Sequence, residues 1–231
     1  MRSRRVVLLL LAPWFLLAGQ ACRQAKAKTH TSGSTVVEIS VPLGKTVGNF
    51  TFSKSGLLSY QGKSFSPAVK VRPDSVRSFR ISLPKDKGLA GAIAEDEDGK
   101  NSLYLLELAA RTAIPLPEAE AQKIFWSPSG RYMLAYCSYE GEAFLGVDLE
   151  TQKVVQGQPL GPEGKMWNVI DEPRWAKGAD TLVFTVDETC DIYSADSECN
   201  SDRTLAKYVV SLDPATMKTT AQKLRVRGKK G

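Results

Sequence analysis

Gly88-Leu-Ala-Gly-Ala-Ile-Ala-Glu-Asp-Glu-Asp-Gly99-Lys-Asn-Ser-Leu-Tyr-Leu-Leu-Glu-Leu108 returns 42 residues later as Gly130-Arg-Tyr-Met-Leu-Ala-Tyr-Cys-Ser-Tyr-Glu-Gly141-Glu-Ala-Phe-Leu-Gly-Val-Asp-Leu149. Each copy has a short apolar run, an acidic turn ending in Gly, and a second apolar run closed by an acidic residue and Leu. That is the pattern of a β-hairpin. A hairpin unit repeated at this period buries its apolar face against its neighbours, as propeller blades do. The expected fold is therefore all-β, a propeller-like stack of small antiparallel sheets. A body of about 195 residues allows about four blades, in a ring that is incomplete or open. A β-sandwich is the alternative.

Working outward, the runs Val36 to Val41, Phe50 to Phe52, Leu57 to Tyr60, Ala68 to Val71 and Phe79 to Leu83 are short and rich in β-branched or aromatic residues. Gly, Pro, Ser or Asn separates them, so each reads as a strand. Glu118 to Lys123 reads as a connection. Phe125-Trp-Ser-Pro-Ser-Gly130 and the strand after it are echoed by Phe50-Thr-Phe-Ser-Lys-Ser-Gly56 and by Pro173-Arg-Trp-Ala-Lys-Gly178. Tight turns explain the glycines, and Phe52, Trp126 and Trp175 are bulky fillers for the gaps between sheets. The strand after the hairpin recurs as Leu103 to Leu108, Phe144 to Leu149 and Tyr208 to Leu212. The hairpin from Leu182 to Tyr208 is stretched by a polar insertion, Asp187 to Lys207.

Trp126-Ser-Pro-Ser-Gly-Arg-Tyr-Met-Leu-Ala-Tyr136, with Glu140-Gly141 and Val147-Asp-Leu-Glu-Thr151, resembles the repeat of TolB-like (WD40-like) β-propellers. In that family an aromatic-Ser-Pro-Asp-Gly turn feeds an apolar strand and an Asp-Gly hairpin follows. Ala92 to Gly99 and Leu103 to Leu108 are similar to the second half of that pattern. The chain departs from it at Ser129, at Ala176-Lys-Gly178, and in the spacing of 32 from Gly56 to Gly88. The resemblance implies an exported propeller, though four blades fall short of the family's six.

The N-terminus supplies an address. Arg2, Arg4 and Arg5 precede an apolar run from Val6 to Gly19 that is too short to span a bilayer and suits a signal peptide over residues 1–21. Small residues at Gly19 and Ala21 permit cleavage before Cys22, and Leu17-Ala-Gly-Gln-Ala-Cys22 resembles a lipobox. Cys22 is the candidate lipidation site, giving a periplasmic or outer-membrane lipoprotein of a bacterium. Residues 22–34 read as a flexible tether and residues 35–231 as the propeller-like domain. The whole chain carries a net charge of +6. Loss of three arginines and no acid with residues 1–21 leaves +3, which gives no ground for a nucleic-acid partner. Cys190 and Cys199, nine positions apart in a polar loop, are expected to form a disulfide in an oxidising compartment. Cys137 reads as a small buried hydrophobe.

Chemistry is sparse. The one histidine, His30, lies in the tether, so the body cannot assemble a Ser-His-Asp triad or a His-ligated zinc centre of the usual catalytic type. No phosphate loop, dinucleotide fingerprint or nucleophile elbow is present, and no cofactor or metal is expected. The acidic group Glu95 to Asp98 reads as a hairpin turn. The acids of the insertion do not follow the Ca²⁺-loop spacing. An insertion on a repeat scaffold is nevertheless where binding tends to reside. Tyr193 and Trp167, with Asp191 and Asp196, are the candidate partner contacts, Trp167 as an exposed anchor or as core. The reading is a binding or scaffolding module for an envelope protein or polysaccharide. The alternatives are a carboxylate-dependent glycoside-processing enzyme and a periplasmic inhibitor protein.

Overall fold

The computed structural model describes residues 36–85, 88–96, 101–117, 121–137, 143–157, 160–162, 165–190 and 204–224. The signal segment, the tether, Cys22, Asp191, Tyr193, Asp196 and Cys199 lie outside them. The described residues form eighteen strands and no helix, arranged in four antiparallel sheets. The first sheet is β2 (Lys45–Val47), β3 (Phe50–Phe52), β4 (Leu58–Tyr60) and β5 (Lys63–Ser64). The second runs β1 (Val36–Pro42), β6 (Val76–Pro84), β7 (Leu89–Asp96), β8 (Ser102–Glu107) and β9 (Thr112–Pro115). The third is β10 (Ala121–Trp126), β11 (Tyr132–Cys137), β12 (Ala143–Asp148) and β13 (Lys153–Gln156). The fourth is β14 (Lys165–Val169), β16 (Leu182–Cys190), β17 (Ala206–Asp213) and β18 (Lys218–Lys223), with β15 (Arg174–Trp175) beside β16.

Three cores join these sheets in a row. Phe50, Phe52 and Leu58 of the first sheet meet Phe79, Ile81 and Leu106 of the second. Ile93, Leu103 and Leu105, on the second sheet's other face, meet Trp126, Met133 and Leu145 of the third. Leu134 and Phe144, on the third sheet's other face, meet Phe184, Val210 and Leu212 of the fourth. The stack is open, since no core among the described residues joins the fourth sheet to the first. Four sheets in a row also set aside the sandwich alternative.

The two hairpins that repeat after 42 residues are β7–β8 and β11–β12, at corresponding places in the second and third sheets. Both sheets are covered on two sides, so β7 is buried continuously from Ala90 to Ala94 and β11 from Tyr132 to Ala135. Polar bonds cross their shared interface. Trp126 Nε1 donates to Ser82 Oγ at 2.9 Å, and Arg80 donates to the carbonyl of Gln122 at 2.6 Å. Gly91 permits the approach, because a Cβ there would stand 2.5 Å from Ile124 Cδ1.

Four expectations need correction. Ala68 to Val71 forms no strand: its partner is the turn at Gly56, whose φ of 81° allows one bridge, Leu57 to Lys70, and no ladder beyond it. The segment read as a connection from Glu118 opens β10 at Ala121, which is buried opposite Cys137. The Phe50 to Tyr60 echo is a likeness of turns and not of blades. In both copies a Ser hydroxyl accepts a backbone N–H, from Leu57 to Ser53 at 3.1 Å and from Tyr132 to Ser127 at 3.0 Å. The Ser53 turn, however, joins the second and third strands of its sheet, whereas the Ser127 turn joins the first and second. Turn chemistry is local and does not encode which corner of a sheet it makes. Lastly, both ends of the segment read as an insertion belong to strands: Asp187 and Glu188 of β16 pair with Lys207 and Ala206 of β17, and β14 pairs with residues 186 to 190 on the other side.

Candidate functional site: the cleft between the third and fourth sheets

Residues of the third and fourth sheets and of the segments beside them line a cleft of about 300 Å³. Phe144 of β12 and Leu212 of β17 face it from opposite sheets, and Thr219 of β18 stands at its mouth. The connector from β13 to β14 closes one side with Leu160, Gly161 and Pro162, and Met217 projects from the β17–β18 turn. The described side chains of the lining are apolar apart from the Thr219 hydroxyl and the indole N–H of Trp167, and about half of the surface the cleft exposes is polar.

Met217 reaches this place through a specific turn. Asp213 holds the turn by accepting from the Ala215 amide at 3.0 Å and the Thr216 hydroxyl at 2.7 Å. Met217 itself adopts a left-handed backbone with φ of 55°. Arg111 and Gln152 take the same conformation in the matching turns of the second and third sheets. The third sheet has glycines where Met217 arrives. A Cβ on Gly146 would lie 2.8 Å from its Sδ, and one on Gly157 would lie 2.6 Å from the Phe144 carbonyl oxygen and 3.4 Å from Met217 Cε.

Trp167, the one proposed contact residue with a described side chain, belongs to β14 and not to a connection. It is buried, with 9% of its surface exposed, so the exposed-anchor reading is corrected. Its ring stacks on Tyr208 at 5.3 Å between centroids, and Gly161 packs on it closely enough that a Cβ would sit 3.3 Å from Trp167 Cδ1. Tyr208 and Gly161 thus pack on the ring, and Trp167 is among the residues that line the cleft. Trp167 Nε1 donates to Glu188 Oε2 at 3.0 Å. Lost solvation, and after it the charge of Glu188, hold the Tyr208 hydroxyl above the usual phenol range. Lys223 Nζ lies 5.9 Å from the centre of the Tyr208 ring.

The sequence reading missed Met217, Leu160 and Phe144 as cleft residues. One signal was available: a large apolar residue occupies a turn position where the sister turns carry Arg111 and Gln152.

Several carboxylates of the described residues have partners of their own. Asp148 pairs with Arg131 at 2.9 Å, Asp187 with Lys207 at 2.9 Å, and Glu95 with Arg80 and the Ser78 hydroxyl. Among the described residues no group of three or more His, Cys, Asp or Glu side chains is placed to hold a metal ion. No described helix is long and apolar enough to cross a membrane.

No family model matches the chain, and no curated protein matches it. Solved structures similar to it at low identity include the following three. A putative TolB from Agrobacterium tumefaciens shares 14% identity, over 81% of this chain and 82% of that one, with a TM-score of 0.37. An acylaminoacyl peptidase from Pyrococcus horikoshii shares 11% identity over 61% of this chain, with a TM-score of 0.39. The chain spans 24% of that peptidase. TolB from Acinetobacter baumannii shares 12% identity, over 64% of this chain and 49% of that one, at a TM-score of 0.32. With TM-scores below 0.5, none of the three bears on what this chain does, and its propeller-like fold is read from its own four sheets.

Proposed function

We propose that the protein is an exported binding module of the cell envelope, delivered by residues 1–21, tethered through Cys22 and engaging a partner at the cleft between the third and fourth sheets. The cleft carries this reading. Ligand sites run from about 300 to 1,000 Å³, and this cleft stands at the lower limit of that range, with apolar side chains from both sheets beside polar backbone. Its described lining contains no carboxylate, whereas glycoside hydrolysis requires two facing carboxyl groups about 5 to 10 Å apart. Binding is thus favoured over carboxylate chemistry at this site.

The test is capture from an envelope extract by the mature chain, compared with Thr219→Trp. That substitution fills the cleft mouth from an exposed strand position where an aromatic residue is well tolerated. Specific partners retained by the wild type and lost by the variant support the reading. Equal capture by both overturns the cleft as the binding site. Cys22→Ser tests the tether: it should move the protein from the membrane fraction to the soluble periplasm, and a wild type already soluble overturns the anchor.

A further inference from the structure

The fourth sheet ends at β18, whose six residues are all exposed and whose outer edge pairs with no other described strand. The register shows which backbone groups face that edge. Leu224 donates its amide to the Lys207 carbonyl at 2.8 Å, continuing the ladder that sets Lys223 against Tyr208. Hydrogen-bonded and non-hydrogen-bonded pairs alternate along an antiparallel ladder. Lys218, Thr220 and Gln222 therefore direct their backbone groups to β17, while Thr219, Ala221 and Lys223 turn theirs outward.

The same three residues place their side chains on the cleft side of the sheet. Thr219 stands opposite Leu212 in the ladder, and both line the cleft. A strand added to this edge would set one residue directly opposite Thr219, with its side chain on the same face and therefore at the cleft mouth. We propose that the free edge of β18 takes up an extended acidic peptide as a further strand of the fourth sheet, with one large apolar side chain seated in the cleft.

Charge selects this occupant over a second copy of the chain. Two β18 strands could pair antiparallel only with outward-facing residues opposite one another, Thr219 against Lys223 and Ala221 against itself, which brings four lysines and no acid to the joint. A strand with an acid at each end meets both lysines favourably. Main-chain bonds would supply affinity and the cleft would supply specificity, as in other strand-addition complexes. The inference rests on the binding-module reading and names the partner class for its cleft.

The probe is the capped peptide Asp-Thr-Val-Thr-Phe-Glu, whose first residue faces Lys223, whose Val faces Ala221 and whose Phe faces Thr219. Titrated into the ¹⁵N-labelled mature chain, it should shift the amides of Thr219, Ala221 and Lys223. Ala221→Pro removes the central outward N–H and no bond to β17, and proline is tolerated on an edge strand when that N–H faces solvent. It should weaken binding about tenfold or more, as should a peptide N-methylated at Val, a change that leaves the protein unaltered. The Phe→Ala peptide should lose comparable affinity, and a peptide with Lys in place of both acids should not bind.

Absence of shifts at those three amides overturns the proposal, as does equal affinity for the parent and N-methylated peptides. Envelope partners captured equally by wild type and Ala221→Pro, yet lost by Thr219→Trp, would overturn the added strand and leave the binding module standing.

Discussion

The second and third sheets differ from the first and fourth in one physical respect: the inner pair is packed on both faces and the outer pair on one. In β11 the neighbours Met133 and Leu134 point to opposite sides and both are fully buried, each in a different core. In β16 burial alternates: Leu182, Phe184 and Val186 are buried, and Val183, Thr185 and Asp187 between them are half-buried. The first sheet repeats this at smaller scale, with Phe50 and Phe52 inward and Thr51 between them bonded to Thr46 across the ladder. A stacked repeat protein needs polar outer faces at its ends to stay soluble, and hydroxyl-bearing residues meet that need here. The 42-residue repeat is clearest in the inner pair because two packed faces leave few residue types acceptable at any position. One packed face leaves half the positions free to drift.

Substitution of neighbouring residues tests this contrast most strongly. Met133→Ala and Leu134→Ala should each cost about 2 to 5 kcal/mol in urea unfolding, because each opens a cavity in a different core. In the outer pair, Phe184→Ala should cost about 3 to 5 kcal/mol, while Val183→Ala beside it stays below about 1 kcal/mol. Equal costs at positions 183 and 184 would show that the fourth sheet is covered on both sides and the stack is closed.

Thiol reactivity gives the next largest effect. Cys137 is a free, buried thiol at the end of β11, and burial pushes its pKa up to about 11 from 9.0. Two units of pKa correspond to about hundredfold less thiolate at neutral pH, so Cys137 should react with a disulfide reagent about a hundred times more slowly in the native protein than in the unfolded one. Peptide mapping of the label decides it. Native labelling of Cys137 at the unfolded rate would mean that the third sheet's inner packing is open to solvent.

The smallest effect concerns the surface of the third sheet. The hydrogen bond from Arg131, supported by the amides of Glu150 and Thr151, holds the Asp148 carboxyl below the usual carboxylate range. Folding thus favours the ionised form. Its contribution to stability is present above the unfolded-state pKa and is lost as pH falls through the depressed folded-state value. The stability difference between wild type and Asp148→Asn should therefore be constant near neutrality and shrink with acidification in that range. A difference independent of pH would show that Asp148 acts by holding the turn alone, through its bonds to the two amides.

Much of the fold was legible beforehand for the same reason that the inner sheets are so regular. Gly88 to Leu149 carries two hairpins, both apolar faces and the spacing between blades, and the fillers Phe52 and Trp126 sit buried between sheets. The cleft was less legible. Trp167 was singled out, but its place in β14 depends on pairing with Thr189, Glu188 and Asp187, some twenty residues away. Met217 resembled an ordinary turn residue, and the glycines that receive it, Gly146 and Gly157, lie in another sheet.

The sequence by itself determined the strand-and-turn grammar, the repeat, and the absence of histidine from the body, because these depend on local periodicity, turn chemistry and composition. Tertiary structure alone decided that the stack stays open, that the Ser53 turn closes a different corner from the Ser127 turn, and that Phe144, Trp167, Leu212 and Met217 line one cleft. Those outcomes depend on how whole sheets meet, and contacts between residues as distant as Gly146 and Met217 leave no periodic trace along the chain.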